Sequence, residues 1–491
     1  MKKIKVLFKD IDHKLIRLKE DFAVSGINAD SRLLKKGEIF VAINGPRHNG
    51  CDYIKDALKK GAAAVCVDDP KSAPKTGGVI LVKDASRAFS LLASRIFDEP
   101  SSDINIIGIT GTNGKTTVSY LIYEILKEAK RLPSLLGTVG YKISKKTESS
   151  FNTTPGPMLL HSLFDRMRKS GSDYAVMEVS SHALKQDRVF GVNFKTAVLT
   201  NITGDHLDYH KTMKNYAASK RILFESLTKN GTAVLNRDDG YYDYFKKATK
   251  AKVIDYGIKN KANFRAVEIE SDIGGSSFVI TTPEGDIGMK TVLIGRHNIY
   301  NILAAASACF FEGVSPEIIK RAVERFQAVP GRLESVDMGQ PFRIFVDYAH
   351  THDALEKVLS ELRALCGGKL VAVFGCGGDR DRTKRPKMGR IASKIADEII
   401  LTSDNPRSED PEAILDEIEA GIAKGFSGYK RISDRFKAIE ESLAVRGKSD
   451  VVIIAGKGHE DYQIIGKEIF PFSDKEAIEE ILTKRHSKCL R

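Results

Sequence analysis

Cysteine is scarce in this chain, and the little there is forms no pattern. Its six residues, Cys51, Cys66, Cys309, Cys366, Cys376 and Cys489, are scattered with no C-x-x-C pair. That spacing implies neither a disulfide framework nor a zinc site. Long apolar runs are missing too: none approaches the ~20 residues that a membrane span requires. The basic amino terminus, Met1 to Asp10, lacks the apolar core and small-residue cleavage site of a signal peptide. These absences predict a cytoplasmic protein without a membrane partner. No recognisable nucleic-acid module is present either. The formal charge of +13 is spread along the chain among acidic residues, and its densest run, Arg380 to Arg390, includes Asp381 and sits beside glycines. Such charge does not choose between a nucleic acid, an acidic surface and a polyanionic small substrate.

What is present is an ordinary globular composition, 42% hydrophobic and 29% charged. At about 150 residues per domain, the length predicts about three domains. The chain is organised around Gly108-Ile-Thr-Gly-Thr-Asn-Gly-Lys-Thr-Thr117. A predicted strand, Ile104 to Ile109, enters this glycine-rich turn, and a predicted helix, Val118 to Lys130, leaves it with Leu121, Ile122, Ile125 and Leu126 at helical spacing. Strand, turn and helix start together present backbone amides to an anion. In that frame Lys115 reaches terminal phosphates and the Thr116 hydroxyl can ligate Mg²⁺. The usual phosphate loop, G-x-x-x-x-G-K-[ST], has a glycine where this chain has Ile109; here the glycines are Gly108, Gly111 and Gly114. A nucleoside triphosphate is the expected ligand.

Before this loop, residues 1–98 read as a small α/β unit with strands at 37–43 and 63–67 and a helix at 53–60. Asp30-Ser-Arg32 reads as turn chemistry, and Arg47-His48-Asn49-Gly50 as a polar loop at a strand end. The linker Asp98 to Asp103 is the first predicted boundary. After the loop, Tyr174-Ala-Val-Met-Glu-Val179 reads as a buried strand. A carboxylate there, Glu178, either holds Mg²⁺ or is salt-bridged at the sheet edge. Ser181-His182 invites a hydrolase reading, but no G-x-S-x-G elbow accompanies it. His206 and Asp208 follow another strand end, placed either for a metal or for structure. Lys220 lies on a predicted helix, 216–224, where a lysine ordinarily marks a solvated face. Asn236-Arg-Asp-Asp239 is a further polar cluster, 262–289 alternates like hairpins, and Asn298 and Asn301 sit one turn apart near the start of an alanine-rich helix. The second boundary is predicted at Val329 to Glu334. Strand–helix alternation then restarts, as in a parallel doubly wound sheet. Polar clusters follow its strands at Asp347-Tyr-Ala-His350, Arg380, Asp404-Asn-Pro-Arg407 and Gly456-Lys-Gly-His-Glu460. They are predicted to converge on one crevice suited to a zwitterionic ligand.

Together these motifs resemble the Mur ligases, the ATP-dependent amide-forming enzymes of peptidoglycan precursor synthesis. The resemblance runs from Asp30-Ser-Arg32 through Asn152-Thr-Thr-Pro155, Glu178-Val-Ser-Ser-His182, Thr200 to His206, Gly295-Arg-His-Asn298 and Gly331-Arg-Leu-Glu334 to Gly456 to Glu460. The family's own loop is G-x-x-G-x-x-G-K-[ST], which accounts for Ile109. The resemblance implies an α/β chain of three domains: a UDP-binding domain (1–98), a central ATP-binding domain with a parallel sheet (99–331) and a Rossmann-like amino-acid-binding domain (332–491). It implies that Lys115, Glu178, His206 and Lys220 are catalytic, with Thr116 and Glu178 on one Mg²⁺ and His206 with carbamylated Lys220 on a second. ATP would meet Gly111, Thr112, Asn113, Gly114, Lys115, Thr116, Thr117, Asn298, Arg332 and Asp347. The UDP-muramoyl dipeptide would meet Thr153, Thr154, Ser180, Gln186 and Arg188, with Ser31 and His48 near the uridine. Asn49 stands where an aspartate is more common. Asp404-Asn-Pro-Arg407 resembles the signature of members that add meso-diaminopimelate, the pocket completed by Arg380, Gly456 and Glu460. Arg407 would hold a distal carboxylate that lysine lacks. The implied partners are small molecules, with no nucleic acid, acting on a monomer. A lysine-adding relative, a D-alanyl-D-alanine-adding ligase, a folylpolyglutamate synthase, a phosphate-loop nucleic-acid ATPase and an inactive binding protein are the rival readings. The intact Lys115, Glu178, His206 and Lys220 count against the last.

Overall fold

The computed structural model describes residues 1–19, 22–45, 48–150 and 152–489. Arg47, singled out above, lies outside the described residues, as does the side chain of Asp208. The chain divides into two compact units, one of residues 1–267, 280–287 and 299–322, the other of 268–279, 288–298 and 323–491.

The first unit opens with a five-stranded sheet. Its strands are β1 (His13–Ile16), β2 (Ile27–Asn28), β3 (Ile39–Val41), β4 (Ala64–Val67) and β5 (Val79–Val82), in the order β1-β5-β4-β3-β2. Only β1 runs antiparallel to its neighbour. Helix α1 (Ile54–Lys59) follows the polar loop, and α2 (Ala85–Ile96) starts where the Asp84 carboxylate accepts the Arg87 amide. The apolar stripe of α2, including Phe89 and Leu92, is buried with Ile39, Val41 and Ile80 in one core.

A second sheet holds the phosphate loop. Around β6 (Asn105–Thr110) and α3 (Lys115–Glu128) lie β7 (Pro133–Leu136), the hairpin of β8 (Tyr141–Ile143) and β9 (Lys146–Glu148), α4 (Pro157–Lys169), β10 (Tyr174–Glu178), α5 (Ser181–Lys185) and β11 (Phe194–Leu199). Next come α6 (Leu207–His210), α7 (Met213–Glu225), β12 (Thr232–Asn236), β13 (Lys252–Gly257) and the strands β14 (Phe264–Asp272), β15 (Gly275–Thr282) and β16 (Gly285–Thr291). Strands β7-β10-β6-β11-β12-β13 are mutually parallel. They are nearly all apolar because both faces are covered. Helix α3 begins at Lys115, three residues before the expected Val118, because Gly114 takes a left-handed turn at φ 84° and lets the helix start at once. Helices α8 (Arg296–Phe311) and α9 (Pro316–Arg325) complete this stretch.

The second unit carries the restarted alternation: β17 (Glu334–Ser335), β18 (Arg343–Asp347), α10 (His352–Leu365), β19 (Leu370–Phe374), α11 (Lys384–Ile395), β20 (Glu398–Leu401), α12 (Pro411–Glu419), β21 (Tyr429–Arg431), α13 (Arg435–Ser442) and β22 (Val451–Ala455). A hairpin, β23 (Tyr462–Ile465) and β24 (Glu468–Pro471), and α14 (Asp474–Cys489) follow. The sheet order is β17-β18-β22-β19-β20-β21, parallel from β18 onward. The parallel doubly wound sheet is therefore present, with a core on each face. Five cysteines are free thiols, and among the described residues no helix is long and apolar enough to cross a membrane.

Candidate active site

The phosphate loop is built by steric demand. A Cβ on Gly111 would stand 1.9 Å from Thr200 Oγ1, and one on Gly114 would stand 2.3 Å from Asn301 Oδ1. Both positions have positive φ, 148° and 84°. No side chain caps the start of α3, as suits a helix end that receives an anion. The Lys115 ammonium donates to the carbonyls of Gly111 and Thr112 at 2.9 and 2.8 Å, folded over its own loop.

Glu178 stands at the end of β10, 1% exposed. It accepts the Thr116 hydroxyl at 3.1 Å, the Thr138 amide at 2.8 Å and the Thr138 hydroxyl at 3.2 Å. β10 is an interior strand between β7 and β6, so the sheet-edge salt bridge is not its setting. Thr138 in turn lies 3.1 Å from the Thr153 hydroxyl. Thr154 Oγ1 donates to the Glu178 carbonyl at 2.9 Å and accepts the Ser180 amide at 3.0 Å. Arg188 reaches the same strand end, donating to Thr154 O at 3.1 Å and twice to Gln186 Oε1 at 3.0 and 2.7 Å. Thr153, Thr154, Ser180, Gln186 and Arg188 thus form one polar wall next to Glu178.

Lys220 of α7 is no solvated lysine. It is 1% exposed and donates to the Gly111 carbonyl at 2.7 Å, its ammonium 4.7 Å from the centre of the Tyr216 ring. Burial, then the charge of Lys115, holds its pKa well below the usual lysine value, with Asp205 opposing. Tyr216 lies 3.1 Å from the Thr112 hydroxyl, and burial pushes its own pKa up to about 12. His206 takes a left-handed backbone at φ 52° and sets its ring 4.8 Å from that of His182. Ser181 does not pair with adjacent His182. Its hydroxyl lies 3.0 Å from Nε2 of His210. Ser219, whose hydroxyl donates to Asn215 O at 2.8 Å, lies 3.3 Å from His210 Nδ1. Among the described residues no three His, Cys, Asp or Glu side chains are grouped to hold a metal on their own.

The other polar clusters divide by role. In the Asp30 triplet, Asp30 Oδ1 accepts the Arg32 amide at 2.9 Å, which is turn chemistry, and Lys60 fixes Ser31 through its carbonyl at 2.7 Å. The carbonyl of exposed His48 accepts the Gly45 amide at 2.9 Å, and Asn49 Oδ1 accepts the Cys51 amide at 3.0 Å. Asp238 accepts three amides, Ile258, Lys259 and Asn260, and the Tyr300 hydroxyl, so it serves structure.

In the second unit three of the four expected clusters are in contact, with the Tyr348 ring 5.0 Å from that of His459 and Asn405 bonded to Glu460, while Arg380 is bonded to its neighbour Asp379. Asp347, at the end of β18, accepts the amides of Leu333 at 2.7 Å and Ala349 at 2.8 Å; burial raises its pKa while Arg332 opposes. The Arg332 guanidinium lies 4.9 Å from the Tyr348 ring centre. Asn298, at the start of α8, donates to Ile294 O at 2.9 Å. Asn405 donates to Glu460 Oε2 at 2.8 Å, and fully buried Lys457 lies 3.3 Å from that oxygen. A Cβ on Gly456 would stand 2.7 Å from Asp404 Oδ2, and one on Gly378 would stand 1.9 Å from Pro406 O. Arg407 adopts φ 53°, bridges Ile465 in parallel and donates to Gly378 O at 2.9 Å. Exposed Arg380 donates to Asp379 O at 3.1 Å.

Family models match this frame in chain order. "Mur ligase family, catalytic domain" matches residues 23–95, "Mur ligase middle domain" 109–309 and "Mur ligase, glutamate ligase domain" 331–458. A protein of Bacillus velezensis named UDP-N-acetylmuramoyl-L-alanyl-D-glutamate–2,6-diaminopimelate ligase is 45% identical over 95% of each chain. The chain belongs to the Mur ligase family. A Mur ligase of the same name from Geobacillus thermodenitrificans is 43% identical over 92% of this chain and 93% of its own. A solved structure with that ligase's name shares 33% identity at a TM-score of 0.71, covering 94% of this chain and 95% of its own. The MurF ligase of Thermotoga maritima in complex with ADP, 21% identical with a TM-score of 0.58 and covering 94% of this chain and 98% of its own, shares the fold.

Beyond the motifs, this Mur ligase uses residues that spacing did not single out. Thr138 is the main donor to Glu178; its only signal was a hydroxyl among turn residues. Arg385 holds Glu409 through two 2.9 Å bonds and Glu417 through another, fastening the segment just after Arg407 to α11 and α12. Arg435, fully buried, clasps Asp474 at 2.7 and 2.8 Å and donates to the carbonyls of Ser403 and Ala455, the residues just before Asp404 and Gly456.

Proposed function

We propose that this Mur ligase joins meso-2,6-diaminopimelate to UDP-N-acetylmuramoyl-L-alanyl-D-glutamate at the expense of ATP. A carboxylate of the dipeptide takes the γ-phosphoryl group and ADP leaves. The amine of diaminopimelate then attacks the acyl carbon, phosphate departs, and the amine proton passes to solvent. Lys115 would leave the Gly111 and Thr112 carbonyls for the phosphates and meet the charge that develops on them. The Thr116 hydroxyl and Glu178 carboxylate offer the hard oxygen donors that Mg²⁺ takes, and the ion would neutralise phosphate charge when bound there. Lys220 is suited to carbamylation because its depressed pKa favours the neutral amine, the form that adds CO₂. As a carbamate it would stand with His206 as an anionic ligand for a second ion.

The same reading gives Thr153, Thr154, Ser180, Gln186 and Arg188 to the muramoyl dipeptide, Ser31 and His48 to the uridine, and Asn298, Arg332 and Asp347 to ATP. It divides the chain at 1–98, 99–331 and 332–491. It takes the enzyme to be a cytoplasmic monomer acting on small molecules.

One observation carries the choice of amino acid. Arg407 Nη1 donates to the Asn405 carbonyl at 3.4 Å and the Asn405 side chain donates to Glu460 at 2.8 Å, which supports a cation and a carboxylate serving a substrate with ammonium groups and a distal carboxylate. Phosphate release from ATP is expected only with both the UDP-linked dipeptide and meso-diaminopimelate present. Equal or better turnover with L-lysine would defeat the amino-acid assignment.

A further inference from the structure

The loop that carries Gln186 and Arg188 is not held by its own domain alone. Asp187, between them, takes a left-handed backbone at φ 51°. For a residue with a side chain that conformation costs on the order of 1 kcal/mol and persists only where the surroundings enforce it. The enforcing groups come from one face of α2. The Ser86 hydroxyl donates to the Gln186 carbonyl at 3.1 Å. The Ser90 hydroxyl, fully buried, donates to the Asp187 carbonyl at 2.6 Å. Arg87 Nε donates to the Asp187 carboxylate at 3.3 Å, and its guanidinium lies 4.9 Å from the centre of the Phe190 ring. Three side chains on one face of α2, at helical spacing, therefore hold the 186–190 segment.

We infer that Ser86, Arg87 and Ser90 are positioning residues for the muramoyl-dipeptide pocket, acting through the Gln186–Arg188 turn. The link to the pocket is continuous. With the turn fixed, Gln186 Oε1 receives both Arg188 donors, and the third Arg188 donor reaches Thr154 O on the wall beside Glu178. If the turn relaxes, Gln186 and Arg188 lose their common geometry while Lys115, Thr116 and the amino-acid loops are untouched. The consequence is selective: weaker binding of one substrate out of three. This inference rests on the assignment of Gln186 and Arg188 to that substrate.

The test is steady-state kinetics on the full chain, varying each of the three substrates in turn, with melting temperatures measured alongside. Ser90→Ala removes a single hydroxyl and Arg87→Ala the guanidinium. Each is expected to raise KM for the UDP-linked dipeptide about five- to tenfold, since a hydrogen bond of about 1 kcal/mol corresponds to roughly a fivefold effect. The KM values for ATP and diaminopimelate and the value of kcat should stay within about twofold, and Arg87→Lys should recover part of the loss. An unchanged dipeptide KM in both variants, with Gln186→Ala raising it, overturns the inference and leaves the proposed function standing. A uniform loss across all three substrates with a lowered melting temperature also overturns it, because the contacts would then be merely structural. A wild-type enzyme that does not turn over these substrates removes the proposed function and this inference with it.

Discussion

The ammonium of Lys220 and the carbonyl of Gly111 are hydrogen-bonded at 2.7 Å, so helix α7 is tied to the phosphate loop's first bend. Both ends of this contact are consequential. Gly111 O is also shared with Lys115, and two ammonium groups converge on one carbonyl. The burial of Lys220, and after it the repulsion by Lys115, favours loss of a proton from Lys220. Conversion of that amine to a carbamate would replace a repulsion by an attraction to Lys115. Lys220→Ala is therefore expected to abolish ligation, with partial recovery on adding short carboxylic acids. Full activity in the unassisted variant would rule the carbamate out.

Glu178 places a carboxylate among the Thr116 and Thr138 hydroxyls beside the phosphate loop. Glu178→Gln keeps its shape and its bond to the Thr138 amide but loses the charge. If it holds Mg²⁺ with Thr116, kcat should fall by about a hundredfold or more, the scale of losing one preorganised electrostatic contact to a transition state. Raising Mg²⁺ should restore part of it. A kcat within a few-fold of wild type would assign Glu178 to structure alone.

The Arg407 guanidinium is planar and can meet a carboxylate with two bonds, which a lysine ammonium cannot match. Arg407→Lys is expected to raise KM for diaminopimelate by about a hundredfold, equivalent to ~3 kcal/mol of lost pairing, with KM for ATP unchanged. The assay is phosphate release at saturating ATP and dipeptide. No change in the diaminopimelate KM would remove Arg407 from the pocket.

The contrast between these residues and others explains what could be read from the chain. Gly111 and Gly114 announce themselves because only glycine fits where Thr200 and Asn301 press in, and Lys115 and Thr116 follow at fixed spacing. The alternation of 332–491 was legible for a similar reason: parallel strands buried on both faces are short apolar runs, such as Leu370 to Phe374. Lys220 was not legible without family resemblance. Helical spacing places a lysine on a face but does not say that Tyr216, Lys115 and Gly111 enclose that face. Thr138, Arg385 and Arg435 escaped for the same reason, since their partners lie 40, 24 and 39 positions away. Helix α4 was missed because the turn residues before it, Thr153 to Gly156, masked its start at Pro157.

Arg435 and Asp474 are both fully buried and joined by two bonds, 2.7 and 2.8 Å long. Removing one partner leaves a buried charge unpaired, at a typical cost of ~3–5 kcal/mol. Arg435→Met should lower the denaturation midpoint accordingly. The double variant Arg435→Met with Asp474→Leu should regain most of that stability, because neither charge is then stranded. It should not regain the affinity for diaminopimelate, since the Ser403 and Ala455 carbonyls, which lead into the Asp404 and Gly456 loops, lose their common donor. Wild-type affinity in the double variant would show that the clasp serves folding only.

Asp238 links the stability of the first unit to acid pH. Burial alone would raise its pKa, but the amides of Lys259, Ile258 and Asn260 and the Tyr300 hydroxyl outweigh that and hold the carboxyl at about 2. An unfolded aspartate titrates near 3.9. Its folded pKa is thus depressed, so the stability it contributes is complete above about pH 4 and is lost as pH falls toward about 2. Urea denaturation between pH 5 and pH 2.5 should show a steep loss of stability in the wild type across that window. In Asp238→Asn the slope should be shallower by one proton, with lower stability near neutrality and convergence with the wild type in acid. Parallel curves for the two proteins would mean that Asp238 is not linked to folding in this way.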